Sequence, residues 1–105
     1  MNRVDPLVED KHKELNALCK RFRVQRFEVF GSAADGSFDP ATSDLDFLVE
    51  FLPLQPGEHF DAYFGLLEAL QELFQRRIDL VETTAMRNPY FIRRVNESRI
   101  SIYAA

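Results

Sequence analysis

Apolar residues recur along the chain in two periods, and the switches between them divide it into elements. Val8, Leu15, Leu18, Cys19 and Phe22 fall at helical spacing, and Asp5-Pro6 supplies a start signal, a cap-type residue followed by proline at the first helical position. One helix from about Pro6 to Arg21 is expected. Between Arg26 and Phe30 the period shortens to two, with Phe27 and Val29 on one face, and Gly31 ends the strand by permitting a turn that a side chain would obstruct. Ser32, Ala33 and Ala34 can open a short helix whose free N–H groups aim at an anion, and the stretch from Asp35 to Ser43, with Gly36, Ser37 and Pro40, reads as a loop. A second strand runs from Asp44 to about Leu52 and is ended by Pro53, Pro56 and Gly57. Helical spacing returns in Phe60, Tyr63, Phe64, Leu67, Leu70 and Phe74. Residues 77–83 read as a third strand, Ile78 and Leu80 on one side and Asp79 and Val81 on the other. Asn88-Pro89 repeats the cap-and-proline signal before a short helix carrying Phe91, Ile92 and Val95, and Ile100, Ile102 and Tyr103 form a last short strand.

The order of elements sets the architecture. The loop between the first two strands is too short for a helical crossover, so they should be antiparallel, whereas the helix between the second and third allows a parallel pairing. The expected fold is α/β (α+β), a small mixed β-sheet with helices packed on one face. Its other face presents Asp44, Asp46 and Asp79.

Composition narrows the function classes. At 105 residues the chain is expected to be one domain, 1–105, with a real core and no room for a separate acceptor-binding domain. A hydrophobic fraction of 46% with 10 phenylalanines excludes a disordered chain. The net charge of −4 argues against binding bulk nucleic acid, which needs a basic surface, and the arginine clusters at 21–26, 76–77 and 93–99 read first as solvated faces. Cys19 is the only cysteine, so there is no internal disulfide, and it packs with His12 on or beside the apolar stripe of the first helix. His59 is read as a solvated first-turn residue. No apolar run approaches the roughly 20 residues that span a bilayer, and the amino terminus lacks a signal pattern, so a reducing cytoplasm is expected.

The chemistry is concentrated between Gly31 and Phe51. Asp44 and Asp46 are one residue apart at the head of a strand, so both carboxylates point to one face while Leu45, Phe47, Val49 and Phe51 enter the core. Three carboxylates on one sheet face repel unless a cation sits among them, and magnesium takes one or two carboxylates with water and phosphate oxygens. Asp44 and Asp46 are placed to bridge two such ions, roughly 3.5–4 Å apart as in two-metal phosphoryl transfer, with Asp79 on the metal nearer the attacking hydroxyl and helping to remove its proton. Gly31 and Ser32 would hold the β- and γ-phosphates, leaving the α-phosphate between the metals. Attack there expels pyrophosphate and transfers a nucleoside monophosphate.

Gly31, Ser32, Asp44, Asp46 and Asp79, in this order and on these elements, resemble the signature of the polymerase-beta-like nucleotidyltransferases: a glycine-serine turn, an aspartate-x-aspartate pair about ten residues on, and a third acid on a later strand. With RRIDLVE and the closing NPYFIRRVNESRISIYAA, the whole chain resembles the minimal nucleotidyltransferases that act as antitoxins beside HEPN-type ribonuclease toxins. The resemblance implies Asp44, Asp46 and Asp79 as catalytic metal ligands, Gly31, Ser32 and Ser43 as nucleotide contacts, Mg2+ as the metal and ATP as the donor. It implies a tyrosine of the partner toxin as the acceptor, silenced by adenylylation. Two departures stand out. Relatives commonly carry an arginine or lysine just after the glycine-serine pair, where this chain has Ala33 and Ala34, and the eleven residues between Ser32 and Asp44 are one more than the commonest spacing. The alternative to an enzyme is a binding module that neutralises its partner by contact. Surfaces rich in phenylalanine also leave homo-oligomerisation open.

Overall fold

The computed structural model describes residues 3–105. Its helices and strands follow the apolar periods with one break: the first expected helix is two, α1 (Pro6–Glu9) and α2 (His12–Arg21), separated by a turn at Asp10 and Lys11. Asp5 caps α1 as predicted, its carboxylate accepting from the Leu7 N–H at 3.0 Å. The rest of the chain gives β1 (Val24–Phe30), α3 (Ser32–Asp35), β2 (Leu45–Phe51), α4 (Pro56–Phe74), β3 (Ile78–Glu82), a 3-10 turn (Thr83–Ala85), α5 (Pro89–Ser98) and β4 (Ile100–Ala104).

The four strands form one mixed sheet in the order β3-β2-β1-β4, with β1 antiparallel to β2 and β4, and β2 parallel to β3. Side-chain alternation sends Val24, Phe27 and Val29, then Leu45, Phe47 and Val49, then Ile78 and Leu80, into one core with Leu15 and Cys19 of α2 and Leu66, Leu70 and Phe74 of α4. Phe27 and Phe47 stack across the β1–β2 pair with ring centroids 4.8 Å apart. The Tyr63 hydroxyl donates to the Leu80 carbonyl at 2.5 Å and ties α4 to the edge strand β3. Burial pushes the Cys19 thiol up to about 12, so this cysteine packs rather than reacts. Among the described residues no helix is long and apolar enough to cross a membrane.

The helix layer expected on one face is built by α2 and α4, and α5 adds to it on the other. Val95 and Phe91 of α5 pack there against Phe30, Leu48 and Val81. Arg99, just past the end of α5, fastens that helix to β1: its Nη2 and Nε donate to the two carboxylate oxygens of Glu28 at 2.5 and 3.0 Å. The layer on this face is partial, and what it leaves uncovered is the cleft described below.

α4 ends on Gln75, a non-glycine residue in the left-handed region at φ 52. Gln75→Gly should raise the unfolding free energy by about 0.5 kcal/mol, the relief of the left-handed penalty exceeding the added unfolded-state entropy, as read by urea denaturation.

Candidate active site

Strand register brings two of the three predicted acids together. β1 ends on Phe30, which lies opposite Asp46 on β2, and Asp46 in turn lies beside Asp79 on the parallel neighbour β3. Leu45 and Phe47 are fully buried in the main core, so Asp46 between them points to the opposite face, where it is half-buried while Asp79 is exposed. Burial pushes the Asp46 carboxyl up to about 6, and the charges of Asp79 and then Asp44 add to the effect.

Gly31 follows Phe30 at φ +71, and a Cβ there would lie 2.5 Å from Oδ2 of Asp46. The missing side chain is therefore what lets the carboxylate lie against the turn. The Gly31 N–H donates to the hydroxyl of Ser98 at 2.9 Å. Sequence reasoning gave that N–H to a phosphate; the fold engages it with the last residue of α5, which is only 6% exposed. The next two amides, of Ser32 and Ala33 in the first turn of α3, carry no hydrogen bond among the described residues, since α3 begins its own pattern with Ala34 and Asp35 donating to the Gly31 carbonyl.

A cleft of about 560 Å3 opens over this junction. Phe30, Gly31, Asp35, Asp46 and Asp79 form one side, and α5 forms the other with Phe91, Arg94, Val95, Glu97 and Ser98. Phe30 and Phe91 meet edge to face, ring centroids 6.0 Å apart, and make its apolar end. Of the six residues predicted for the site, Gly31, Asp46 and Asp79 line the cleft. Asp44 is exposed just before β2, outside the lining, although its charge reaches Asp46. Ser32 opens α3 with its hydroxyl free of hydrogen bonds among the described residues. Ser43 lies in the loop before β2, where its hydroxyl accepts from the Asp39 N–H at 3.0 Å. Arg76 reaches over the same loop, donating to the Pro40 carbonyl at 3.3 Å and stacking on Phe38 at 5.1 Å from the ring centroid.

The α5 wall was not foreseen as part of the site. Its residues carry no motif, and the apolar positions of the helix reveal only that it packs. Arg94 and Ser98, four apart, share one helical face, but nothing in the sequence says which surface that face meets.

The donor set fits a divalent cation. An acid held up to about 6 by burial and two like charges is a site in which positive charge is missing. Among the described residues no three acids or imidazoles stand close enough to enclose an ion by themselves. Coordination would have to be completed by water and phosphate oxygens, which is magnesium's ordinary habit.

Comparison with known proteins identifies the family and the fold. The family model described as "Nucleotidyltransferase domain" matches residues 12–102. A Methanocaldococcus jannaschii protein named "putative protein adenylyltransferase" is 30% identical over 92 residues, 88% of each chain. A solved structure described as a "putative minimal nucleotidyltransferase" superposes with a TM-score of 0.70 at 30% identity, covering 89% of this chain and 90% of that one. The fold recurs, at 17% identity and a TM-score of 0.57, in a complex described as tri-AMPylated Shewanella oneidensis HEPN toxin with MNT antitoxin, covering 92% of this chain and 72% of the other.

Proposed function

The chain belongs to the nucleotidyltransferase domain family, and from that premise we propose that it transfers AMP from Mg-ATP to a hydroxyl, a tyrosine, of a HEPN-type ribonuclease toxin in the cytoplasm and thereby acts as its antitoxin. The observation that carries the reading is the register pairing of Asp46 with Asp79 against Gly31 at the floor of a cleft large enough for a nucleotide. Asp44, Asp46 and Asp79 would hold magnesium, which when bound neutralises the triphosphate and polarises the α-phosphorus.

In the transfer, the acceptor hydroxyl oxygen forms a bond to the α-phosphorus while the bond from that phosphorus to the bridging oxygen of the β-phosphate breaks. Pyrophosphate leaves with the electron pair. The hydroxyl proton passes to the carboxylate of Asp79, the exposed acid on the open side of the cleft. Asp46, wedged between Gly31 and Asp79, keeps the reacting phosphate in register with the strand ends. The relatives' names support a protein acceptor.

A second reading, neutralisation by contact alone, rests on a different feature. Phe60 and Phe64 on the outer face of α4 are 63% and 48% exposed and pack on one another at 4.6 Å, an apolar patch of the kind that partners cover. One experiment separates the two: the protein is incubated with ATP, magnesium and a HEPN toxin encoded beside it, and the intact mass of the toxin is measured. A gain of one or more AMP units that disappears when Asp44 and Asp46 are both changed to asparagine is the expected result. Equal suppression of the toxin by the double variant, without a mass change, would establish contact neutralisation instead.

A further inference from the structure

We propose that Arg94, projecting from α5 on the wall opposite the glycine-serine turn, is the cation that grips the triphosphate, taking the place of a basic residue in the turn itself. The inference rests on the nucleotidyl-transfer reading and deepens it. Three observations converge on this residue.

The first is electrostatic. Asp35, Asp46 and Asp79 line the cleft, and among the described lining residues Arg94 is the only cation. Metal at the strand ends would engage the oxygens nearest the α-phosphorus, so the outer oxygens of the triphosphate need a positive partner of their own beside these carboxylates.

The second is that the turn cannot supply one. Ala33 and Ala34 are fully buried beneath it and carry no charge, and the Gly31 N–H is already engaged by Ser98. Two short-helix amides remain on that side, without a side-chain cation.

The third is that Arg94 has no structural employment. Among the described residues it forms neither a hydrogen bond nor an ion pair, in contrast to Arg99, which is locked to Glu28, and Arg76, which holds the loop before β2. The helix that carries it, however, is held in place. Ser98 lies one helical turn further on, on the same face of α5, and its bond to Gly31 pins that face to the turn. The Ser98–Gly31 bond thus holds α5 where Arg94 lines the cleft that Gly31 also lines.

The test is calorimetric titration of the purified full chain with an ATP analogue whose α–β bridge is methylene, in magnesium buffer, so that binding is read without turnover. Arg94→Ala should weaken binding about tenfold or more, the usual worth of a charge-assisted hydrogen bond. Arg94→Lys should recover part of the loss. Arg93→Ala removes the same charge from the neighbouring exposed position outside the cleft and should leave the affinity within about twofold. The loss at Arg94 should shrink as the ligand is shortened from triphosphate to monophosphate, which a merely structural role would not produce. Arg94→Ala binding the triphosphate as tightly as the unaltered protein, or Arg93→Ala losing as much as Arg94→Ala, overturns the inference alone. Failure of the unaltered protein to bind the analogue overturns the nucleotidyl-transfer reading and this inference with it.

Discussion

Asp46→Asn should abolish AMP transfer, by about 10³-fold or more, while making the metal-free protein more stable at neutral pH. The two effects have one origin. In the fold the Asp46 carboxyl is pushed up to about 6 from the ordinary carboxylate value of about 3.9, by burial first and then by Asp79 and Asp44. Between those two values the folded state binds more protons than the unfolded state, so stability falls as pH rises through this window, and above it the full cost of the ionised carboxylate is present. Asparagine fills the same space without the charge. Because the side chain is only half-buried, water screens much of the cost, and the expected gain is about 1 kcal/mol at pH 8, vanishing below pH 4. Denaturation of both proteins in chelator at pH 4 and pH 8 reads it. Magnesium should then stabilise the unaltered protein and leave the variant unmoved. A variant that is less stable than the parent at pH 8 would show that Asp46 is held by favourable contacts rather than by crowding, and the metal reading of the floor would be lost.

What the sequence revealed of this site was the part made by strands. The alternation of Leu45, Asp46 and Phe47 and of Ile78, Asp79, Leu80 and Val81 fixes which face Asp46 and Asp79 take, and the register of the sheet sets them side by side, whereas Asp44 precedes β2 and stays outside the cleft lining. The helix between β2 and β3 allows the parallel pairing that the sheet shows. Residues whose role is set by tertiary contact were not readable. Ser98 looks like any polar residue at a helix end until its hydroxyl is seen on the Gly31 N–H, 67 residues away in the chain. Ser43, a nucleotide contact by the family resemblance, accepts from the Asp39 N–H across its own loop, a bond that the sequence does not announce. The break between α1 and α2 escaped notice because Val8 and Leu15, seven residues apart, fall on one stripe whether or not the helix is continuous. Apolar period tells which side chains are buried; it does not tell which polar groups meet.

Gly31→Ala should damage the site by adding a single methyl group. Two costs combine there. At φ 71 and ψ −147 the backbone occupies a region that is essentially confined to glycine, at a penalty of about 1–3 kcal/mol for any other residue. The new Cβ would also lie 2.5 Å from Oδ2 of Asp46, inside contact distance, so either the carboxylate rotates away or the turn shifts and strains the bond from its N–H to Ser98. Both responses move the same pair of walls apart. A displacement of about 1 Å in a reacting constellation costs about 10²-fold in rate, so transfer should fall at least that far, alongside a loss of about 2 kcal/mol of stability. Gly36 provides the control that separates strain from collision. It too has a positive φ, +88, but a Cβ there meets nothing within 4 Å. Gly36→Ala should therefore lose about 1 kcal/mol of stability and keep its transfer rate, measured as initial velocity at saturating ATP. Equal losses of rate at the two positions would mean that general loosening of the α3 turn, and not the contact between Gly31 and Asp46, is what the chemistry feels.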